Sequence, residues 1–369
     1  GRNEVQPWVL PSFDYSFTPQ NPVAGGELTI NVNAQGVMRD AIDYSEFIGA
    51  DHPQAALRGI HGTSARLTTE AEWKRSFVTP GGLMLTPLLH ARGDAIGVDY
   101  RGGSQAAIAN VASLNGYDTD IRSSYYRSMA TAGLEARWPV LFTTPNSTHI
   151  IEPMGQLFVR PDAAYSTRLG IRNEDAQSLV FDASNLFERD KFSGYDRIEG
   201  GTRANLGVRY SAAFANGWSA NGVAGQSFHL AGVNPYTSPD LVHVGAQSGL
   251  ESARSDYVAS IGVISPDGFS LGAGGRFDEE TLAIRRADLT AGYASEPVTV
   301  SAAYSFIEKQ PGYGFTDDRH EIRANASVRV AENWRIFGGG TYDFESDVVV
   351  KKSIGFAYDD ECFAYTLSA

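Results

Sequence analysis

Residues 319–330 alternate with a period of two. His320, Ile322, Ala324, Ala326, Val328 and Val330 fall on one face, and Glu321, Arg323, Asn325, Ser327 and Arg329 on the other. Residues 203–214 repeat the pattern, setting Ala204, Leu206, Val208, Tyr210, Ala212 and Phe214 against Arg203, Asn205, Gly207, Arg209, Ser211 and Ala213. Residues 298–306 do the same, with Val298, Val300, Ala302, Tyr304 and Phe306 against Thr299, Ser301, Ala303 and Ser305. About sixteen segments of roughly 8 to 18 residues read as strands in this way, with turn residues between them.

Alternation alone also suits a soluble sandwich, so the connections carry more weight. Short turns (79–82, 215–217, 266–268, 295–297, 331–333) take turns with longer excursions (39–62, 101–127, 161–200, 231–255, 309–318), though two later excursions, 278–284 and 345–347, are brief. Short turns at one end and long loops at the other predict an all-β fold, an antiparallel up-and-down transmembrane β-barrel. Trp218, Trp334, Tyr342, Phe344, Phe356 and Tyr358 sit near expected strand ends, where a membrane–water interface favours amphipathic rings. No helical period, low-complexity tract or fixed repeat interrupts the pattern, so residues 1–369 read as one domain.

Composition narrows the classes. Hydrophobic residues make up 42% of the chain, yet no run nears the roughly 20 apolar residues that a membrane-spanning helix needs. With 39 Gly, 17 Tyr and 19 Phe against 16 Pro, the mixture favours pleated strands and tight turns over helices. The net charge of −13 opposes nucleic-acid binding, which needs clustered cations. Only Lys74, Lys191, Lys309, Lys351 and Lys352 are lysines, so arginine, which grips phosphates and carboxylates bidentately, carries most of the positive charge.

The candidate chemical motifs fail on context. Gly268-Phe269-Ser270-Leu271-Gly272 fits the G-x-S-x-G pattern, but strand–turn–strand surrounds it and not the strand–turn–helix of a nucleophile elbow, so Ser270 is expected to be a strand residue. Gly272-Ala273-Gly274-Gly275 lacks the Lys and Ser/Thr of a phosphate loop. Seven scattered histidines show no zinc-site spacing. The acidic runs Asp317-Asp318 and Asp359-Asp360-Glu361 suit solvated turns. No catalytic residue, metal or cofactor is expected. The start GRNEVQPWVLPSF has no charged leader and apolar run, and is expected to belong to a longer exported precursor. The single Cys362 excludes a disulfide within these residues.

The stretch Ser184-Asn185-Leu186-Phe187-Glu188-Arg189-Asp190-Lys191-Phe192-Ser193-Gly194-Tyr195-Asp196-Arg197-Ile198-Glu199-Gly200-Gly201-Thr202-Arg203 resembles the signature of the LptD family at the loop leading into a barrel strand. His149-Ile150-Ile151-Glu152-Pro153, and the start from Phe13-Asp14-Tyr15 to Pro22-Val23-Ala24-Gly25-Gly26-Glu27-Leu28, agree in order. The resemblance implies most of a C-terminal outer-membrane barrel, with an N-terminal periplasmic jellyroll and the terminal barrel strands absent. It implies that the protein translocates lipopolysaccharide and inserts it into the outer leaflet. Implied partners are lipopolysaccharide, outer-membrane lipid, an LptE-type lipoprotein plug and, through the absent domain, the periplasmic lipopolysaccharide-bridge proteins.

The motif residues singled out are Asn185, Asp190, Gly194, Asp196, Arg197, Glu199, Gly200, Gly201 and Arg203; Asp196, Arg197, Glu199 and Arg203 are expected to form a charge network folding the loop into the lumen. Cys362 stands where the family carries a cysteine that pairs with the N-terminal domain, although the best-known members have an adjacent pair. The rival readings are a passive porin or solute-specific channel, a lipase resting on Ser270, and a soluble sandwich.

Overall fold

The computed structural model describes residues 3–48, 53–163, 171, 173–175, 177–237, 240–313, 315–360 and 362–369. In chain order come β1 (Trp8–Phe17), β2 (Glu27–Arg39), β3 (Asp43–Ile48), β4 (Pro53–Gly59), β5 (Gly62–Lys74), β6 (Phe77–Val78) and β7 (Met84–Tyr100). After helix α1 (Ser104–Leu114) follow β8 (Ser124–Arg137), β9 (Val140–Thr144), β10 (Ser147–Val159), β11 (Thr202–Phe214), β12 (Ser219–Ala231) and β13 (Tyr257–Ile264). The chain continues through β14 (Phe269–Phe277), β15 (Ile284–Ala294), β16 (Val298–Ile307), β17 (Arg319–Ala331), β18 (Trp334–Asp343), β19 (Val348–Asp359) and β20 (Ala364–Ser368).

All strands except β3 and β4 join one antiparallel sheet of 18 strands in which neighbours in sequence are neighbours in space. They occupy sixteen positions, because β6 prolongs β5 along β7 and β9 prolongs β8 along β10. The all-β, up-and-down architecture expected from the alternation is therefore present. Among the described residues, β1 pairs only with β2 and β20 only with β19.

The register assigns each residue a face. Asn205 on β11 lies opposite Gln156 on β10 and Ser227 on β12, and this polar row looks inward. Its alternates, Leu206 with Leu157, look outward, half exposed. Farther along, Ile261, Leu271, Leu289 and Ile354 continue that exposed apolar face. An apolar outer face over a polar inner one is the arrangement of a membrane barrel.

The sheet curls. Backbone N–H of Leu57 on β4 donates to the carbonyl of Leu241 in the β12–β13 connection (2.7 Å), and the Tyr313 hydroxyl of the β16–β17 connection donates to the carbonyl of His243 (2.8 Å). Strands lie about 4.8 Å apart, so connections separated by so many strands meet only if the sheet bends back on itself.

Two excursions carry structure that the pattern did not predict. Within 39–62, β3 and β4 form a hairpin. Within 101–127 lies α1, whose Ile108, Val111 and Ala112 are buried. Ile108 and Val111 pack with Leu57, Ile60, Ile96, Val98 and Tyr125, so the helix roofs the inner face of β7 and β8.

Candidate functional site: an inward loop on two charge clusters

The connection from β10 to β11, residues 160–201, runs back over the inner face. Its apolar anchors Phe181, Leu186 and Phe192 are buried with Tyr236, Val242, Val244 and Leu250 of the β12–β13 connection and with Val258 of β13. Two glycines permit the path. Gly194 (φ +70°) sits so close to the Asp175 carboxyl that a Cβ has no room, and Gly201 (φ +78°) would place one 3.0 Å from the Ala231 carbonyl. Gly200 is equally tight against the Pro161 carbonyl. Asn185 closes a local turn, its side chain accepting from Asp182 N–H (3.0 Å) and donating to the Val180 carbonyl (2.7 Å).

Where the loop re-enters the wall, Glu199 is sealed from solvent. Its carboxylate is 2.8 Å from the Arg203 guanidinium and 3.2 Å from that of Arg160, and it accepts from Lys191 N–H (3.0 Å). Asp190 accepts from Glu199 N–H (3.1 Å) and Phe192 N–H (3.0 Å). The Lys191 ammonium donates to Asn205 (3.2 Å), which also accepts from Ser227 (2.7 Å) and donates to Gln156 (3.0 Å). Burial pushes the Glu199 carboxyl up, but Arg160, Lys191 and Arg203 outweigh it and hold it down at about 2. Burial, abetted by Arg203 and Arg160, draws Lys191 down to about 8. Asp190 is pushed up by burial and by Glu199.

A second cluster lies one strand pair away. Arg66 of β5 pairs with Asp196 and lies over the Tyr195 ring (5.2 Å), and Arg127 of β8 donates to the carbonyls of Asp196 (2.6 Å) and Tyr195 (2.9 Å). Arg92 of β7 donates to the Tyr195 carbonyl and pairs with Asp94 (2.9 Å), which Thr68 (2.6 Å) and Arg127 (3.2 Å) also contact. Asp175 accepts from Tyr195 N–H (2.9 Å); burial and the neighbouring Asp196 carboxyl push it up to about 7.

Arg197 belongs to neither cluster. It faces Asp240 (3.6 Å) and donates to the Pro235 carbonyl (3.4 Å), so it ties the inward loop to the β12–β13 connection. The single network expected of Asp196, Arg197, Glu199 and Arg203 is thus three separate attachments; only Glu199 and Arg203 touch. The wall partners Arg66, Arg92, Asp94 and Arg127, and Arg160 just past the end of β10, were not singled out from the sequence. The signal of those on strands is a polar or charged side chain at every second position, as in Arg66, Thr68, Glu70 and Glu72.

Cys362 is exposed in the β19–β20 turn, at the end of the sheet that carries the short turns; Glu361 beside it lies outside the described residues. Ser270 is a residue of β14 with no helix following it.

The model of a family described as LptD, LPS transport system D, matches residues 2–334. The chain belongs to the LptD family. Curated LptD relatives include the LPS-assembly proteins LptD of Acinetobacter baumannii (24% identical over 208 residues, 56% of this chain and 24% of the relative) and of Aeromonas salmonicida (20% over 224 residues, 59% and 26%). The matched part spans about a quarter of the length of these relatives. Among solved structures, the FrpB iron transporter of Neisseria meningitidis (9% identical, 96% of this chain and 63% of that one, TM-score 0.39) and outer membrane phospholipase A of Escherichia coli (11%, 72% and 79%, TM-score 0.28) are similar. LptD membership places the chain in the outer membrane, in a family devoted to lipopolysaccharide transport and assembly.

Proposed function

We propose that these residues supply most of a large barrel that translocates lipopolysaccharide and inserts it into the outer leaflet, without enzymatic chemistry. The observation that carries this reading is the unequal filling of the inner face. From β2 to β14 the inner face is covered by the inward loop, helix α1 and the β12–β13 connection, with Arg203 and Asp94 buried. On β17 the inner Arg323 keeps 62% of its side chain exposed, near exposed Asn325 and Lys351. A covered half opposes free diffusion of solutes. The open polar half suits an LptE-type lipoprotein plug and a passing sugar–phosphate head group.

Unpaired strand edges are costly in hydrocarbon, so the outer edges of β1 and β20 support closure by further strands of the parent protein. Exposed Cys362, on the short-turn, periplasmic side, suits a disulfide to an N-terminal periplasmic domain that receives lipopolysaccharide from the bridge proteins.

Conductance of the full-length parent in planar bilayers tests the covered lumen. The expected result is a closed baseline that becomes a steady conductance when residues 171–199 are replaced by a short Gly/Ser linker. A large steady conductance of the unaltered protein would establish the porin reading instead.

A further inference from the structure

At the long-loop end, a cavity of about 350 Å³ lies between the β3–β4 hairpin, the inward loop and the inner wall of β14 to β17. Arg58, Arg276, Arg286 and Arg319 line it, and no Asp or Glu does among the described residues. Three of these arginines come from one cross-strand row: Arg276 lies opposite Arg286, Arg286 opposite Ile307, and Ile307 opposite Arg319. Like charges directly opposite one another destabilise a sheet, and in a chain of net charge −13 such a row runs against the overall balance.

Carboxylates outside the cavity offset two members of the row. Asp256 lies 3.2 Å from Arg276, and Asp288 2.7 Å from Arg286. Arg319 makes no ion pair among the described residues: Asp343 acts on it only from beyond ion-pair distance, its partner is the neutral Gln310 amide oxygen and it stacks on Phe315 (3.8 Å), while its buried Nε–H has no hydrogen-bond partner among the described residues. Leu179, Val242 and Phe315 make the other wall apolar. A planar fork of donors facing an apolar wall matches a group with phosphate on one side and hydrocarbon or sugar ring on the other.

We propose that this cavity binds phosphate, carried by a lipid head group or free in solution; the lipid-borne case rests on the lipopolysaccharide reading above. Phosphate oxygens would meet Arg286 and Arg319, with Arg58 closing over them from the hairpin.

The test titrates the full-length parent in detergent with two probes, diphosphoryl lipid A and inorganic phosphate, using wild type, Arg286→Gln/Arg319→Gln and Arg286→Lys/Arg319→Lys. Tenfold or greater weakening for lipid A in the Gln pair, with partial recovery in the Lys pair and little phosphate binding by any form, assigns a lipid head group. Phosphate binding that disappears in the Gln pair, with lipid A unaffected, assigns the free anion. Equal affinity of wild type and the Gln pair for both probes overturns the site. Should the Gln pair fail to fold, Arg58→Gln, outside the barrel wall, is read in its place, with weakening of about threefold expected and no change overturning the proposal. Such a failure together with normal surface delivery of lipopolysaccharide would remove this site and leave the transport reading intact.

Discussion

Glu199 and Arg203 hold carboxylate and guanidinium 2.8 Å apart with both side chains sealed from solvent, at the point where the inward loop becomes β11. The pair fixes the end of the loop in the wall and brings Lys191 and Arg160 with it. Breaking a buried pair by removing one partner leaves the other charge uncompensated, which typically costs roughly 3–5 kcal/mol. Glu199→Gln keeps the shape and strands three cations. Heat-modifiability on seminative gels is expected to show an earlier transition, and limited proteolysis to cut within 171–199; a transition unchanged from wild type would mean the cluster contributes nothing.

Stability should also depend on pH through two carboxyls with opposite signs. Glu199, held at about 2, contributes stability that is full above the ordinary glutamate range and is lost as pH falls from there toward 2. Asp175, raised to about 7, binds its proton more tightly folded than unfolded, so stability declines as pH rises from the ordinary aspartate range to about 7. Asp175→Asn is therefore expected to flatten the melting temperature between pH 4 and 7 and to raise it at pH 8 relative to wild type. A variant with the same slope as wild type would refute the assignment.

Gly194→Ala combines a left-handed backbone with a Cβ pressed on the Asp175 carboxyl, and about 1–2 kcal/mol is expected from the backbone alone. Gly81→Ala meets nothing within 4 Å and serves as the neutral comparison. Equal melting temperatures for the two variants would show that the loop takes another path.

The fold was more legible than the site. The alternation of β11, β16 and β17 told which residues share a face, and the lengths of connections told which end is which, because both are local properties of the chain. The long-range partners were not local. Asp196 rests on Arg66 and Arg127, and no spacing in the sequence announces that a loop between β10 and β11 will lie on β5 and β8. Helix α1 was missed because its apolar face is short, Ala107, Ile108, Val111 and Ala112, and gains stability from the wall beneath it.

Arg197 ties the two loops together through Asp240 and Pro235. In a double-mutant cycle of Arg197→Ala with Asp240→Asn, a coupling of about 0.5–3 kcal/mol is expected. Arg197→Ala in the full-length parent should raise sensitivity to large antibiotics. Additive stability effects together with unchanged sensitivity would remove Arg197 from the account.

Cys362→Ser in the parent is expected to shift mobility on non-reducing gels and to abolish the shift that a reductant causes in wild type. Identical mobility of both proteins, reduced or not, would show that Cys362 stays a free thiol.

Depletion of the full-length parent in its host, with surface labelling of newly made lipopolysaccharide, asks whether this barrel delivers lipopolysaccharide to the outer leaflet. Label is expected to stop reaching the surface while lipopolysaccharide accumulates in the inner membrane or periplasm; normal arrival of label after depletion would mean that this barrel does not deliver lipopolysaccharide.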